Sequence, residues 1–170
     1  MKKLIILLIF INFLNISHAE KIVYVNLDEI ISKSLAGKSM TNQLNSLNLK
    51  NRTFLENETS RLKKIEKEIQ SSKIILSEEE IKKKIDTLKT EVDKYNIKKN
   101  ELVNNFEITR NKNIKFFFNE LSKYAEKYMK DNSISIILDK KSIFMAITLN
   151  EATEDIIKIL DQNMKEFKLQ

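Results

Sequence analysis

Between residues 39 and 130 apolar side chains recur every three or four positions, and polar residues fill the gaps. The second half of this stretch carries Ile81, Ile85, Leu88, Val92, Tyr95, Leu102, Phe106, Phe117, Leu121, Tyr124 and Tyr128. The first half carries Met40, Leu44, Leu47, Leu55, Leu62, Ile65 and Ile69. Such spacing draws one apolar stripe along a helix. No glycine or proline interrupts it. The break falls at 71–77, where Ser77-Glu78-Glu79-Glu80 has the form of a capping box. Two stripes joined by a short break predict an antiparallel coiled-coil hairpin, an arm over 39–130 with its tip at 71–77.

The pattern changes on either side of the arm. Residues 21–27 alternate β-branched and aromatic side chains and predict a strand. Asp28 is placed to cap a short helix that Gly37 ends, and Ser39 to cap the first arm helix. After the turn-forming Asp131-Asn132-Ser133, residues 134–139 and 143–149 predict a β-hairpin. Thr148 or Asn150 then caps a closing helix over 151–167, with Ala152, Ile156, Ile159, Leu160 and Met164 on its apolar stripe. The fold class expected is α+β, mostly helical: a small β-rich head from 20–38 and 131–170, interrupted by a long arm. Val23, Val25, Leu27, Ile134, Ile136 and Leu138 are the expected core of the head or of an interface between heads. A head of this size is marginal alone, so oligomerisation through its strands is expected.

The first 19 residues have a different character. Met1-Lys2-Lys3, an apolar run from Leu4 to Leu14, and Ser17-His18-Ala19 read as a cleaved export signal and place the mature chain in the periplasm. Cleavage would remove His18, the only histidine; the chain has no cysteine and one glycine. That composition argues against imidazole or thiol catalysis, zinc sites and glycine-rich phosphate loops, so neither an enzyme nor a bound cofactor or metal is expected. The arm holds 20 basic and 14 acidic residues, whereas the rest of the mature chain holds 8 and 10. A basic rod on a near-neutral head favours an acidic or anionic partner.

The order of these segments resembles the Skp/OmpH family of periplasmic chaperones. Lys21-Ile22-Val23-Tyr24-Val25-Asn26 is similar to the family's opening strand, and Ile134-Ser135-Ile136-Ile137-Leu138-Asp139 to its strand closing on Asp. Ile143-Phe144-Met145-Ala146 is similar to the next strand, and Asp155-Ile156-Ile157 to the start of the final helix, with Ile157 in place of the family's frequent Thr. The resemblance implies a jellyfish-like homotrimer. In it the strands form a central barrel, and helical arms enclose a cavity that holds unfolded outer-membrane proteins without ATP.

The arm offers three places for such contacts. Ile74, Ile75 and Leu76 lie at the bend, where polar residues are usual, and either close the coiled coil or touch client. Lys82, Lys83 and Lys84 are the densest basic cluster; they suit acidic unfolded chains, and anionic lipid or lipopolysaccharide as a further partner. Phe116-Phe117-Phe118 cannot share one stripe: Phe117 fits the seam, and its neighbours must pack on the head, another subunit or the cavity. The competing class is a structural or adaptor coiled-coil protein of the cell envelope. Nucleic-acid binding fits poorly with export and with near-balanced charge.

Overall fold

The computed structural model describes residues 20–170, so the export signal at 1–19 lies outside the described residues. The element order is β1 (Lys21–Val25), α1 (Leu27–Lys33), α2 (Leu35–Ser72), α3 (Glu78–Asp131), β2 (Ile134–Asp139), two 3-10 turns (Lys140–Ser142 and Thr148–Asn150) and α4 (Thr153–Asn163).

β1 and β2 pair in parallel, with Val23 opposite Ile137 and Val25 opposite Asp139. A parallel pair needs a long crossover. Here the whole of α1, α2 and α3 serves as that crossover, so the arm is an excursion between two strands that hydrogen-bond to each other. The head core gathers Val23, Val25, Ile30, Ile134, Ile156, Ile157 and Leu160 beneath the strand pair. It continues without a break into the arm root through Met40, Leu44, Phe117 and Leu121.

The start of the arm differs from expectation. Asn26, not Asp28, caps α1: its side chain accepts from the Glu29 amide at 3.3 Å. Ser34, not Ser39, caps α2, and its hydroxyl accepts from the Gly37 amide at 3.1 Å. Gly37 therefore lies inside the first turn of α2 rather than in a left-handed stop, and its φ is not positive. What requires glycine is space. A β-carbon there would overlap the Ile31 carbonyl oxygen, with Ile31 C and Cα only 2.7 and 2.8 Å away. The absent side chain lets α1 turn sharply into α2 with backbone against backbone.

With 38 and 54 residues, α2 and α3 are about 57 and about 81 Å long. Their contacts pair rising numbers in α2 with falling numbers in α3. The Thr59 hydroxyl donates to the Tyr95 hydroxyl at 3.0 Å, and the Arg61 guanidinium reaches Glu91 at 2.9 Å. Leu62 and Ile69 are buried in this seam, while Val92, expected there, is 37% exposed and Glu91 is more covered. At its far end α3 stops at a turn in which Ser133 adopts φ 53°, a left-handed conformation unusual without glycine.

Two further expectations are corrected. Residues 143–149 are not the second strand of a hairpin. Asp139 caps a 3-10 turn by accepting from the Lys141 amide at 3.2 Å, and Ile143 and Ile147 are extended but unpaired. The chain must then reach the far side of β1, where the Ala152 amide donates to the Tyr24 carbonyl at 2.8 Å and Glu151 bridges to Tyr24. The segment therefore joins the β1 edge and not β2. The closing helix starts at Thr153 and stops at Asn163, with neither Thr148 nor Asn150 as its cap; Ala152 occupies that position without a side-chain bond. The segment expected to finish the helix instead crosses the arm root as irregular chain and buries Phe167.

Candidate functional site

The residues expected to make contacts fall on three surfaces: the tip, the flanks of the arm, and the outer edge of the head. At the tip α2 ends at Ser72, and Ser77 caps α3 through both halves of a capping box. The Ser77 hydroxyl accepts from the Glu80 amide while the Glu80 carboxylate accepts from the Ser77 amide at 3.0 Å. The Ser77 hydroxyl bond, then the backbone bond, holds the Glu80 carboxyl below its ordinary value. The carboxylate thus stays charged at the positive end of the helix dipole.

This cap turns the loop so that its three apolar residues separate. Leu76 leans over Ile81 and Ile85 and lines an open groove of about 510 Å³ with Lys73 and Lys82 on its rim. Ile74 and Ile75 point away and are 92% and 84% exposed. Of the two roles weighed for the tip, Leu76 takes the packing role, and the isoleucine pair is left in solvent.

Lys82, Lys83 and Lys84 are all exposed. Lys83 pairs with Glu79 at 3.0 Å. Further along α3, Lys89 pairs with Asp86, Lys94 with Glu91 and Lys98 with Glu101, all within one turn. Exposed pairs of this kind contribute little stability, but they cancel part of the basic excess locally. Over the whole arm, the excess of basic over acidic residues is unchanged by this pairing.

In the middle of the arm Glu91 meets Lys94 and Arg61, and these bonds hold its carboxyl below the ordinary range. Arg61 also reaches Glu58 at 3.0 Å. Together with Thr59 and Tyr95 these groups form a polar layer between the helices, a device that opposes sliding of one against the other. Flanking it, Leu49, Ile97, Val103 and Ile108 are apolar side chains left exposed outside the seam.

The head separates its expected core residues by face. Val23, Val25 and Ile134 are buried and Leu27 half-buried, as expected. Ile136 and Leu138 are each 40% exposed and do not belong to the core of this chain. They stand on the strand whose outer edge has no partner among the described residues. Beside that edge an open apolar groove of about 550 Å³ runs between β2 and α3, floored by Ile30, Phe118, Leu121 and Ile156. Sequence reasoning missed the exposure of the segment after β2. Phe144 is fully exposed and Leu149 89% exposed, with Met145 and Ile147 between them also in solvent. The apolar run was legible; that it forms no strand pair among the described residues was not.

Arm, tip and head together match a family model described as outer membrane protein (OmpH-like), over residues 21–160. The chain belongs to the OmpH-like family. The crystal structure of a Caulobacter crescentus CB15 protein, described as an OmpH-like outer membrane chaperone, superposes with a TM-score of 0.82. It covers 89% of this chain and 90% of its own at 17% identity, a likeness of fold. No curated protein matches the chain. The OmpH-like fold accounts for the parallel strand pair split by the arm.

Proposed function

We propose that this protein is an ATP-independent periplasmic holdase, which keeps unfolded outer-membrane β-barrel proteins from aggregating in a cavity between the arms of a homotrimer. The observation that carries the proposal is the run Phe144–Leu149, which leaves four large apolar side chains in solvent beside an unpaired strand edge. A monomer in water has no use for such a surface. Three copies that exchange it bring their heads together and set three antiparallel arms around a common space.

The arms suit unfolded clients for a physical reason. Their apolar residues outside the seam are scattered rather than gathered into a pocket, so each contact is weak and short-lived. Many such contacts acting on one flexible chain retain it through effective concentration while each releases quickly. Ile74 and Ile75 extend that surface to the tip. The net basic arm accelerates capture of acidic chains, and the same charge supports contact with anionic lipid or lipopolysaccharide.

The test is aggregation. A urea-unfolded outer-membrane β-barrel protein, diluted into buffer, should scatter little light when the protein is present at three copies per client. Undiminished scattering at saturating protein rejects the holdase reading and leaves a structural coiled-coil role in the envelope.

A further inference from the structure

The seven residues after α4 lie past the family match, which stops at residue 160. They form neither helix nor strand, and burial alternates over the last four: Phe167 is buried, Lys168 exposed, Leu169 half-buried and Gln170 exposed. Nearly everything that holds them reads main chain. The Phe167 carbonyl accepts from the Ser39 hydroxyl at 3.2 Å and from the Gln43 amide at 2.5 Å. The Phe167 N–H donates back to Ser39 at 3.3 Å, the Leu169 N–H to the Gln43 oxygen at 3.4 Å, and the Gln170 N–H to Asn113 at 2.8 Å. Asn113 is completely buried, and its amide is spent on the Thr109 carbonyl, so its oxygen serves the tail. One side chain is read closely. The Phe167 ring sits edge-on to Phe116 at 5.7 Å and tilted against Phe117 at 6.3 Å. Among the described residues no ion pair ties down Lys165, Glu166 or Lys168.

We propose that the arm root carries a peptide-binding groove, occupied in this structure by the chain's own tail. When the tail is displaced, the groove takes in trans an extended segment with an aromatic residue and an apolar residue two places later. Main-chain bonds are available from any peptide, and side chains alternating along an extended strand fit the pocket pattern. A groove that reads main chain and one ring is tolerant of sequence, as capture of unfolded chains requires. The tail competes from a short tether at high effective concentration, so the site opens only to a ligand that is itself concentrated nearby. The inference rests on the holdase reading only for the source of that ligand, an unfolded client held between the arms.

The experiment measures the groove apart from any client. A dye-labelled synthetic peptide with the sequence of residues 165–170 is titrated by fluorescence anisotropy into the full-length protein and into its Phe167→Ala variant. The variant should bind at least about tenfold more tightly than wild type, because its tail has lost the competing ring. The gain should vanish with a peptide carrying Ala in place of its Phe, and in the Phe167→Ala, Gln43→Ala double variant. Equal binding by wild type and variant overturns the proposal. So does loss of helix content in Phe167→Ala, which would make the tail a structural strap. In the wild-type chain, saturating peptide should raise amide hydrogen exchange at 164–170 and leave the seam unchanged; unaltered exchange there also overturns it. Client holding without peptide binding removes the groove alone, and peptide binding without client holding removes the holdase alone.

Discussion

Single residues decide how the head and arm meet. Gly37 is the clearest case, because any side chain there drives into the Ile31 backbone, which cannot rotate aside as a side chain could. Gly37→Ala should therefore destabilise by about 1–3 kcal/mol, seen as a lower urea midpoint, although alanine is the better helix former. Phe117, wholly buried where arm joins head, should cost about 3–5 kcal/mol on replacement by alanine. Glu91 sets a pH dependence. Its folded carboxyl lies below the ordinary value, so its contribution is complete above the ordinary carboxylate range and is lost as pH falls through the lowered value. Acid should thus lower the urea midpoint of wild type more than that of Glu91→Gln. An equal loss in both would place the acid sensitivity elsewhere. Gly37 also shows the limit of sequence reading at this scale. One glycine between two helical patterns signals a boundary, but a stop in the left-handed region and a tight helix crossing have the same one-letter signature.

Elements were legible in proportion to their length. The periodicity of 39–130 exposed both long helices and the break between them, and the Ser77 box located the start of α3 to the residue. Long patterns average over exceptions such as Val92. Short elements have no such averaging. The start of α1 moved because Asn26 and Asp28 are equally good caps and only packing chooses between them. The expected strand at 143–149 failed for a different reason: strand propensity is satisfied only by a partner, and this segment leaves β2 through a 3-10 turn and next pairs at Glu151, on the edge of β1. The tail was missed because Met164 continues the α4 stripe by sequence, although the chain leaves the helix at Asn163. Its alternating Phe167 and Leu169 were the available signal. For the tip, removing the cap with Ser77→Ala should cost about 1 kcal/mol and raise amide exchange in the first turn of α3, with the head unaffected. Exchange unchanged there would mean that Leu76 packing alone holds the turn.

At the scale of the whole molecule, function follows from the surfaces the chain leaves uncovered. The tip separates into a packed Leu76 and two isoleucines in solvent, so Ile74→Ser with Ile75→Ser is the variant that touches client contact without touching the seam. It should weaken retention of an unfolded β-barrel protein several-fold while circular dichroism stays the same; full retention would remove the tip from the client surface. Charge acts at longer range and is screened over about 8–10 Å at physiological salt. Added salt should therefore slow client capture, measured by stopped flow, more than it speeds release. The proposed trimer rests on the family resemblance. A strand edge and an apolar run favour a partner, and neither sets the number of copies. Native mass spectrometry of the protein mixed with an unfolded outer-membrane β-barrel protein puts both the trimer and its cargo under test in a single spectrum. A trimeric holdase should give a dominant species of three chains and one client; a monomer, or a trimer that never carries client mass, would contradict it.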